Sequence, residues 1–280
     1  MSDLPGGVGV ETDVGTSGGY RIYARCLRPA VAPAATIVVV HGMVVAGRGT
    51  LPLARALARQ GFVVHVPDLP GFGRSAKPAR ALDVAGLGGA LAGWVRDRVG
   101  GPVTLVGNSF GTQVAARAAA DSPGLASAVV LVAPTIDARF RRRWAEHLPA
   151  GPPAPSPPPV ASHPLRDRLV DRLVPDEADP AGLSLRRLVV SEYLAAGPAR
   201  ALSTYRHALR DDLVRTVGRI DSPVVVVRGG SDGVVSPGWA RQVAAAAPRG
   251  VWVDVPGADH DGQFHAPELL AATVVHAAFE

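Results

Sequence analysis

Short apolar runs recur along the chain, most of them closed by glycine, proline or a small polar residue. Runs this short and this rich in valine read as strands buried on both sides. They predict strands at 20–27, 36–40, 62–66, 103–107, 128–133, 223–228 and 250–255. The longer stretches between them, alanine-rich and poor in breakers, predict helices at 50–60, 81–98, 110–121, 238–247 and 267–278. Apolar strands alternating with helices predict an α/β class chain with a mostly parallel central sheet and helices on both faces. An antiparallel hairpin from about 8 to 27 is expected before it. No internal repeat is visible.

Between 135 and 215 the alternation stops. The stretch is too long for a plain connection between the strand ending at Val132 and the one starting at Pro223. It is polar, arginine-rich and helical in patches, at 164–174, 183–195 and 199–216. The expected organisation is one core unit built from 1–134 and 217–280, with an insertion at 135–216. Within the insertion, the run AGPPAPSPPP at 150–159 cannot be regular helix. It reads as a mobile linker that gates entry; a polyproline ligand for another protein is the alternative.

Composition narrows the class. The 280 residues suffice for one large core, and 47% hydrophobic content is ordinary for a globular chain. No apolar run approaches the ~18 residues of a membrane span. The N-terminal MSDLPGGVGVETDVG lacks the basic start and apolar stretch of a signal peptide, so a cytoplasmic location is expected. Cys26 is the single cysteine and is expected to be a buried structural thiol. The net charge is +5, and nearly all of the positive charge is arginine, with Lys77 the only lysine. The arginines are spread over most helices, so no nucleic-acid partner is expected. The cluster Arg139, Arg141, Arg142 and Arg143 is either a solvated helix face or an anionic-substrate or membrane-surface contact near a site entrance.

The candidate chemistry begins at GNSFG, residues 107–111, a G-x-S-x-G sequence between the apolar run 103–106 (VTLV) and the helical stretch 110–121. A serine on a tight strand-to-helix turn presents its hydroxyl beyond the sheet edge, the nucleophile elbow of serine hydrolases. Gly107 and Gly111 are expected because the turn is strained and its neighbours crowd it. A nucleophilic serine needs a base, and the base needs an orienting acid. Asp232 ends GGSD after the strand at 223–228, and His260 ends PGADH after the strand at 250–255. Both stand just past strand ends, where open α/β sheets carry their chemistry. Asp137 competes with Asp232 for the acid; the GGSD context with Pro237 favours Asp232. Asp259 and Asp261 flank His260 and cannot both reach its other ring nitrogen. An oxyanion hole would draw one amide from Phe110 and another from the HGM loop at 41–43, with Met43 the expected donor. His41 is expected to shape that turn, and His65 to be a satisfied core or lining residue. His260, Asp261 and His265 lack a third convincing metal ligand, so no metal and no cofactor are expected.

These segments together carry a family resemblance. HGM at 41–43, DLPGFGRS at 68–75, GNSFG at 107–111, GGSD with Pro237, and PGADH with a later APE at 266–268 resemble the α/β-hydrolases. The similarity is to the capped branch that includes esterases, lactonases and carbon–carbon bond hydrolases, and it spans about 19–280. The resemblance implies a nucleophile–acid–base order of Ser109, Asp232 and His260, and a helical cap (lid) made by the insertion. The family usually carries an acidic residue five after the histidine; here it is His265.

The implied activity is hydrolysis of a carboxylic ester, lactone or thioester of a small molecule through an acyl-enzyme on Ser109. Two alternatives stand beside it. One is carbon–carbon bond hydrolysis of ring-fission products, whose elbow usually reads GNSMGG; this chain has Phe110 and Thr112 where that pattern has Met and Gly. It also has Asp261 where that group tends to carry an aromatic residue. The other is a ligand-binding receptor that retains the triad. Monomer and homodimer are both compatible with the sequence.

Overall fold

The computed structural model describes residues 2–4, 8–43, 45–137 and 184–279. The arginine cluster at 139–143, the proline run at 150–159 and the expected helix at 164–174 lie outside the described residues. No helix among those described is long and apolar enough to cross a membrane.

The strands are β1 (Ser2–Leu4), β2 (Val8–Ser17), β3 (Tyr20–Arg28), β4 (Thr36–Val40), β5 (Val63–Pro67), β6 (Val103–Asn108), β7 (Ala126–Val132), β8 (Val224–Gly229) and β9 (Gly250–Val255). They form one sheet in the order β1-β2-β3-β5-β4-β6-β7-β8-β9. From β5 to β9 the neighbours are parallel, while β1, β2 and β3 join antiparallel at the other side. β1 is an addition to the expected hairpin. The hairpin turns at Gly18 and Gly19, both at positive φ, which is the backbone that a two-residue turn between twisted strands requires. The middle of the sheet follows the valine-rich runs: β4, β6 and β8 are buried nearly throughout. The edge strand β9 is mostly exposed or half-buried and only its last residue, Val255, is buried.

The helices are α1 (Leu51–Arg59), α2 (Val84–Trp94), α3 (Gly111–Asp121), α4 (Leu185–Ala196), α5 (Pro198–Arg210), α6 (Leu213–Val217), α7 (Pro237–Ala246), α8 (Gly262–His265) and α9 (Pro267–Phe279). α1 packs on α9, and α2, α3, α6 and α7 pack in succession, one group for each face of the sheet. This is the α/β-hydrolase arrangement that the resemblance implied.

Two helices differ from expectation for local reasons. The stretch expected at 81–98 starts later, because Asp83 caps it by accepting the Gly86 N–H, and its last turn loosens into a π-turn at Val95–Val99. The stretch expected at 199–216 is two helices. Asp212 caps a new start by accepting the Arg215 N–H, which breaks the run after Arg210. α4 and α5 lie between β7 and β8 in the chain, outside the strand–helix alternation. Gln113 of α3 donates to the Ala208 carbonyl and to Asp211, and so ties the end of α5 to the core.

Candidate active site

The turn after β6 holds Ser109 at φ 52°, a left-handed backbone that a non-glycine residue adopts at a cost. That geometry throws the side chain clear of the sheet. Gly107 and Gly111 have ordinary φ and are needed for a different reason. A Cβ on Gly107 would fall 2.5 Å from the Gly111 carbonyl oxygen, and one on Gly111 2.6 Å from the His41 carbonyl oxygen. The elbow is therefore pressed against its own helix start and against the loop after β4. That loop also flanks the serine: a Cβ on Gly42 would lie 3.3 Å from Ser109 Cβ.

Ser109 Oγ is 3.3 Å from His260 Nε2. His260 Nδ1 is 3.0 Å from Asp232 Oδ2. The Asp232 side chain is fully buried, whereas His260 retains one-fifth of its exposure. The other Asp232 oxygen accepts the N–H groups of Val234 and Val235, at 2.7 and 2.8 Å. Burial would push the Asp232 carboxyl up, but His260 and these two amides outweigh it and hold it below the ordinary value. For His260, burial pushes down, and the hydrogen bond and charge of Asp232 prevail and raise it above its ordinary value.

The other sequence candidates fall elsewhere. Asp137 accepts the Ser236 hydroxyl at 3.4 Å, and the carboxylate on His260 Nδ1 is that of Asp232. Asp259 pairs with His265 Nδ1 at 2.9 Å. Among the described residues, no three His, Cys, Asp or Glu side chains gather as a metal-binding group. His65 contacts Cys26 Sγ at 3.9 Å and meets Trp94 edge-on, and burial lowers its pKa to about 4. Phe110 is buried in the core, and half-buried Met43 packs against it.

Three supports were missed in the sequence. Arg228 donates to the Val235 and Asp232 carbonyls, at 2.6 and 3.0 Å, and so wraps the turn that carries Asp232. A charge at the end of an otherwise apolar strand was the available signal. Asn108 donates to Gln263 at 3.1 Å, both buried, which ties the elbow to the segment after His260. Arg48 and Glu192 form an ion pair at 3.8 Å with both side chains almost fully buried. Burial pushes Glu192 up to about 7, although Arg48 pulls it down. Arg48 sits in the 3-10 turn Gly47–Thr50 just after the loop at 41–43, so this pair attaches α4 beside the site.

The family model of the alpha/beta hydrolase family matches residues 37–273, and the chain belongs to that family. Polyketide synthase ThaQ of Burkholderia thailandensis is 29% identical over 277 residues, which is 95% of this chain and 13% of that protein. The 2-(acetamidomethylene)succinate hydrolase of Mesorhizobium japonicum is 27% identical over 233 residues, covering 77% of this chain and 78% of that one. A crystal structure of E-2-(acetamidomethylene)succinate hydrolase superposes with a TM-score of 0.70 at 22% identity, over 96% of this chain and 99% of that one. The enol-lactonase of Burkholderia xenovorans LB400 does so with a TM-score of 0.67 at 20% identity, over 96% and 100%. At these identities the superpositions speak for the fold.

Proposed function

We propose that the protein is a serine hydrolase that cleaves a carboxylic ester, lactone or thioester of a small organic molecule. The observation that carries this reading is the continuous contact from Ser109 through His260 to the buried Asp232. His260 takes the hydroxyl proton as Ser109 attacks the substrate carbonyl. Asp232 holds the imidazole with Nε2 free towards the serine and stabilises the imidazolium that forms. The 3.3 Å serine–histidine separation is at the long end of a hydrogen bond, a length that commonly tightens when substrate binds. The amides of Met43 and Phe110 stabilise the oxyanion, each by about 3 kcal/mol when aligned. His260 then protonates the leaving group, and water releases the acyl group by the reverse sequence of proton transfers.

The insertion at 135–216 serves as a cap over this site, and α4 and α5 belong to its described part. The buried contacts of Glu192 with Arg48 and of Gln113 with Ala208 support that reading. The relatives support a small acyl substrate: one is named for an acetamido-substituted succinate and another for an enol lactone. The likeness of GNSFG to the GNSMGG elbow keeps carbon–carbon bond cleavage as the second reading.

The test is covalent labelling by a fluorophosphonate, together with hydrolysis of a p-nitrophenyl ester. Both are expected in the wild-type chain and absent in Ser109→Ala. Labelling that survives in Ser109→Ala rules out this nucleophile. A coloured ring-fission product that bleaches while esters are left intact favours the second reading.

A further inference from the structure

The run DLPGFGRS has no part in the chemistry above, and His41 contacts none of Ser109, Asp232 or His260 in the contacts described. His41 is fully buried, and its two ring nitrogens face different backbone groups. Nε2 lies 3.0 Å from the Leu69 amide nitrogen, and Nδ1 lies 2.7 Å from the Gly42 carbonyl oxygen. A backbone N–H can only donate, so Nε2 must be the lone-pair nitrogen. The proton of the neutral ring is then on Nδ1, where it donates to Gly42.

The Gly42 carbonyl and the Met43 N–H belong to one peptide group. Among the described residues no peptide bond is cis, and in a trans peptide the two groups point in opposite directions. Fixing the oxygen on the imidazole side therefore fixes where the Met43 hydrogen points. We infer that His41 is a positioning residue of the oxyanion hole: it clamps the Gly42–Met43 peptide so that the Met43 N–H faces the reacting carbonyl. The inference rests on the serine-hydrolase reading, because only that reading gives the amide an anion to meet.

The loop at 68–75 supplies the other half of the clamp. Leu69 N–H is held by its neighbour Asp68, which is itself fixed on several sides. One carboxylate oxygen of Asp68 accepts Arg25 at 3.0 Å and the Gly47 N–H at 2.8 Å. The other accepts the Arg74 N–H at 2.8 Å. The Asp68 carbonyl accepts the Ser75 hydroxyl at 2.6 Å, and its N–H donates to Tyr23 at 2.8 Å. Gly73, at positive φ, leaves room for the carboxylate, which a Cβ there would strike. The loop thus acts on the reaction at one remove, by presenting a fixed donor to Nε2. Burial lowers the His41 pKa and so favours the neutral ring that this pattern needs, with Asp68 opposing and Arg25 assisting.

The experiment compares kcat and KM of the full chain on one ester for wild type, His41→Asn, His41→Gln and His41→Ala. Asparagine can return an N–H near the Nδ1 position; glutamine places its amide near Nε2 instead. His41→Ala and His41→Gln are expected to lose roughly 10²-fold in kcat with KM changed little, the signature of a lost oxyanion donor. His41→Asn should recover most of that loss, and affinity for a boronic acid should follow kcat across the series. Equal losses in His41→Asn and His41→Ala, or losses confined to KM, would overturn the inference. Should the variants not fold, imidazole 15N shifts of the wild-type chain decide it: the Nδ1–H tautomer is expected, and Nε2–H overturns it. A wild-type chain that neither cleaves esters nor labels at Ser109 defeats the hydrolase reading and this role with it. An active wild type with unimpaired His41→Ala defeats this inference alone.

Discussion

Asp232 meets His260 with one carboxylate oxygen and two consecutive backbone amides with the other. The carboxylate is thus anchored independently of the histidine that it contacts. Asp232→Asn should stay folded, because the turn amides and Arg228 still define the loop, yet lose about 10⁴-fold in kcat as the imidazole takes the wrong tautomer. Asp137→Asn, which lies off the Ser109–His260–Asp232 contacts and bonds Ser236 at 3.4 Å, should cost less than tenfold. Steady-state kinetics on one ester rank the two, and the reverse ranking moves the acid to Asp137.

The pH profile follows from the raised pKa of His260. The base works only when neutral, so kcat/KM should fall as pH drops through a midpoint above the ordinary 6.5. Removing the Asp232 charge takes away the main cause of the rise. The residual activity of Asp232→Asn should therefore persist to lower pH than the wild-type activity does. An acid limb at the same pH in both proteins would show that the carboxylate does not set it.

Glu192 makes a separate prediction about stability. Its folded-state pKa, about 7, lies above its ordinary 4.5, so the folded chain holds that proton more tightly than the unfolded chain. The stability it contributes is present below pH 4.5 and is lost as pH rises through 7. Glu192→Gln keeps the shape of the protonated form and cannot ionise. The two proteins should melt alike at pH 4.5, and the variant should melt a few degrees higher at pH 8. A variant that melts lower at pH 8 would mean that attraction to Arg48 outweighs the cost of burying the carboxylate.

At Gly111 the obstacle to a side chain is backbone, with the His41 carbonyl only 2.6 Å from where a Cβ would stand. Backbone yields less readily than a flexible side chain, so Gly111→Ala should destabilise the chain by about 1–3 kcal/mol. It should also push the loop at 41–43 away from Ser109 and lower kcat. Urea unfolding and ester kinetics on the same preparation test both effects. An unchanged midpoint with unchanged kcat would refute the close approach.

What the sequence made readable was local. Ser109, Asp232 and His260 each follow a valine-rich strand within a few residues, and turn chemistry beside a strand end is visible in a short window. The hairpin expected from about 8 to 27 was legible for the same reason; its turn at Gly18 and Gly19 was not placed. Asn108 with Gln263 and Arg48 with Glu192 were not. Hydrophobic periodicity tells which face of an element is buried but not which distant element covers it, and the first of these pairs spans 155 residues. Helix ends at Asp83 and Asp212 were misjudged because a capping aspartate inside a helical-looking run has the composition of the helix that it interrupts.

Ser109 follows the sixth of the nine strands, in the first half of the chain, whereas Asp232 and His260 follow the last two strands, and Ser109 and His260 are 151 positions apart. A ribosome adding roughly 5–20 residues per second needs on the order of 10–30 seconds to cross that interval. Throughout it the nascent chain bears a serine with no proton acceptor, and α3 can fold behind the elbow without conferring any reactivity. Under the proposed mechanism, hydrolytic competence arrives only when β8 and β9 complete the sheet.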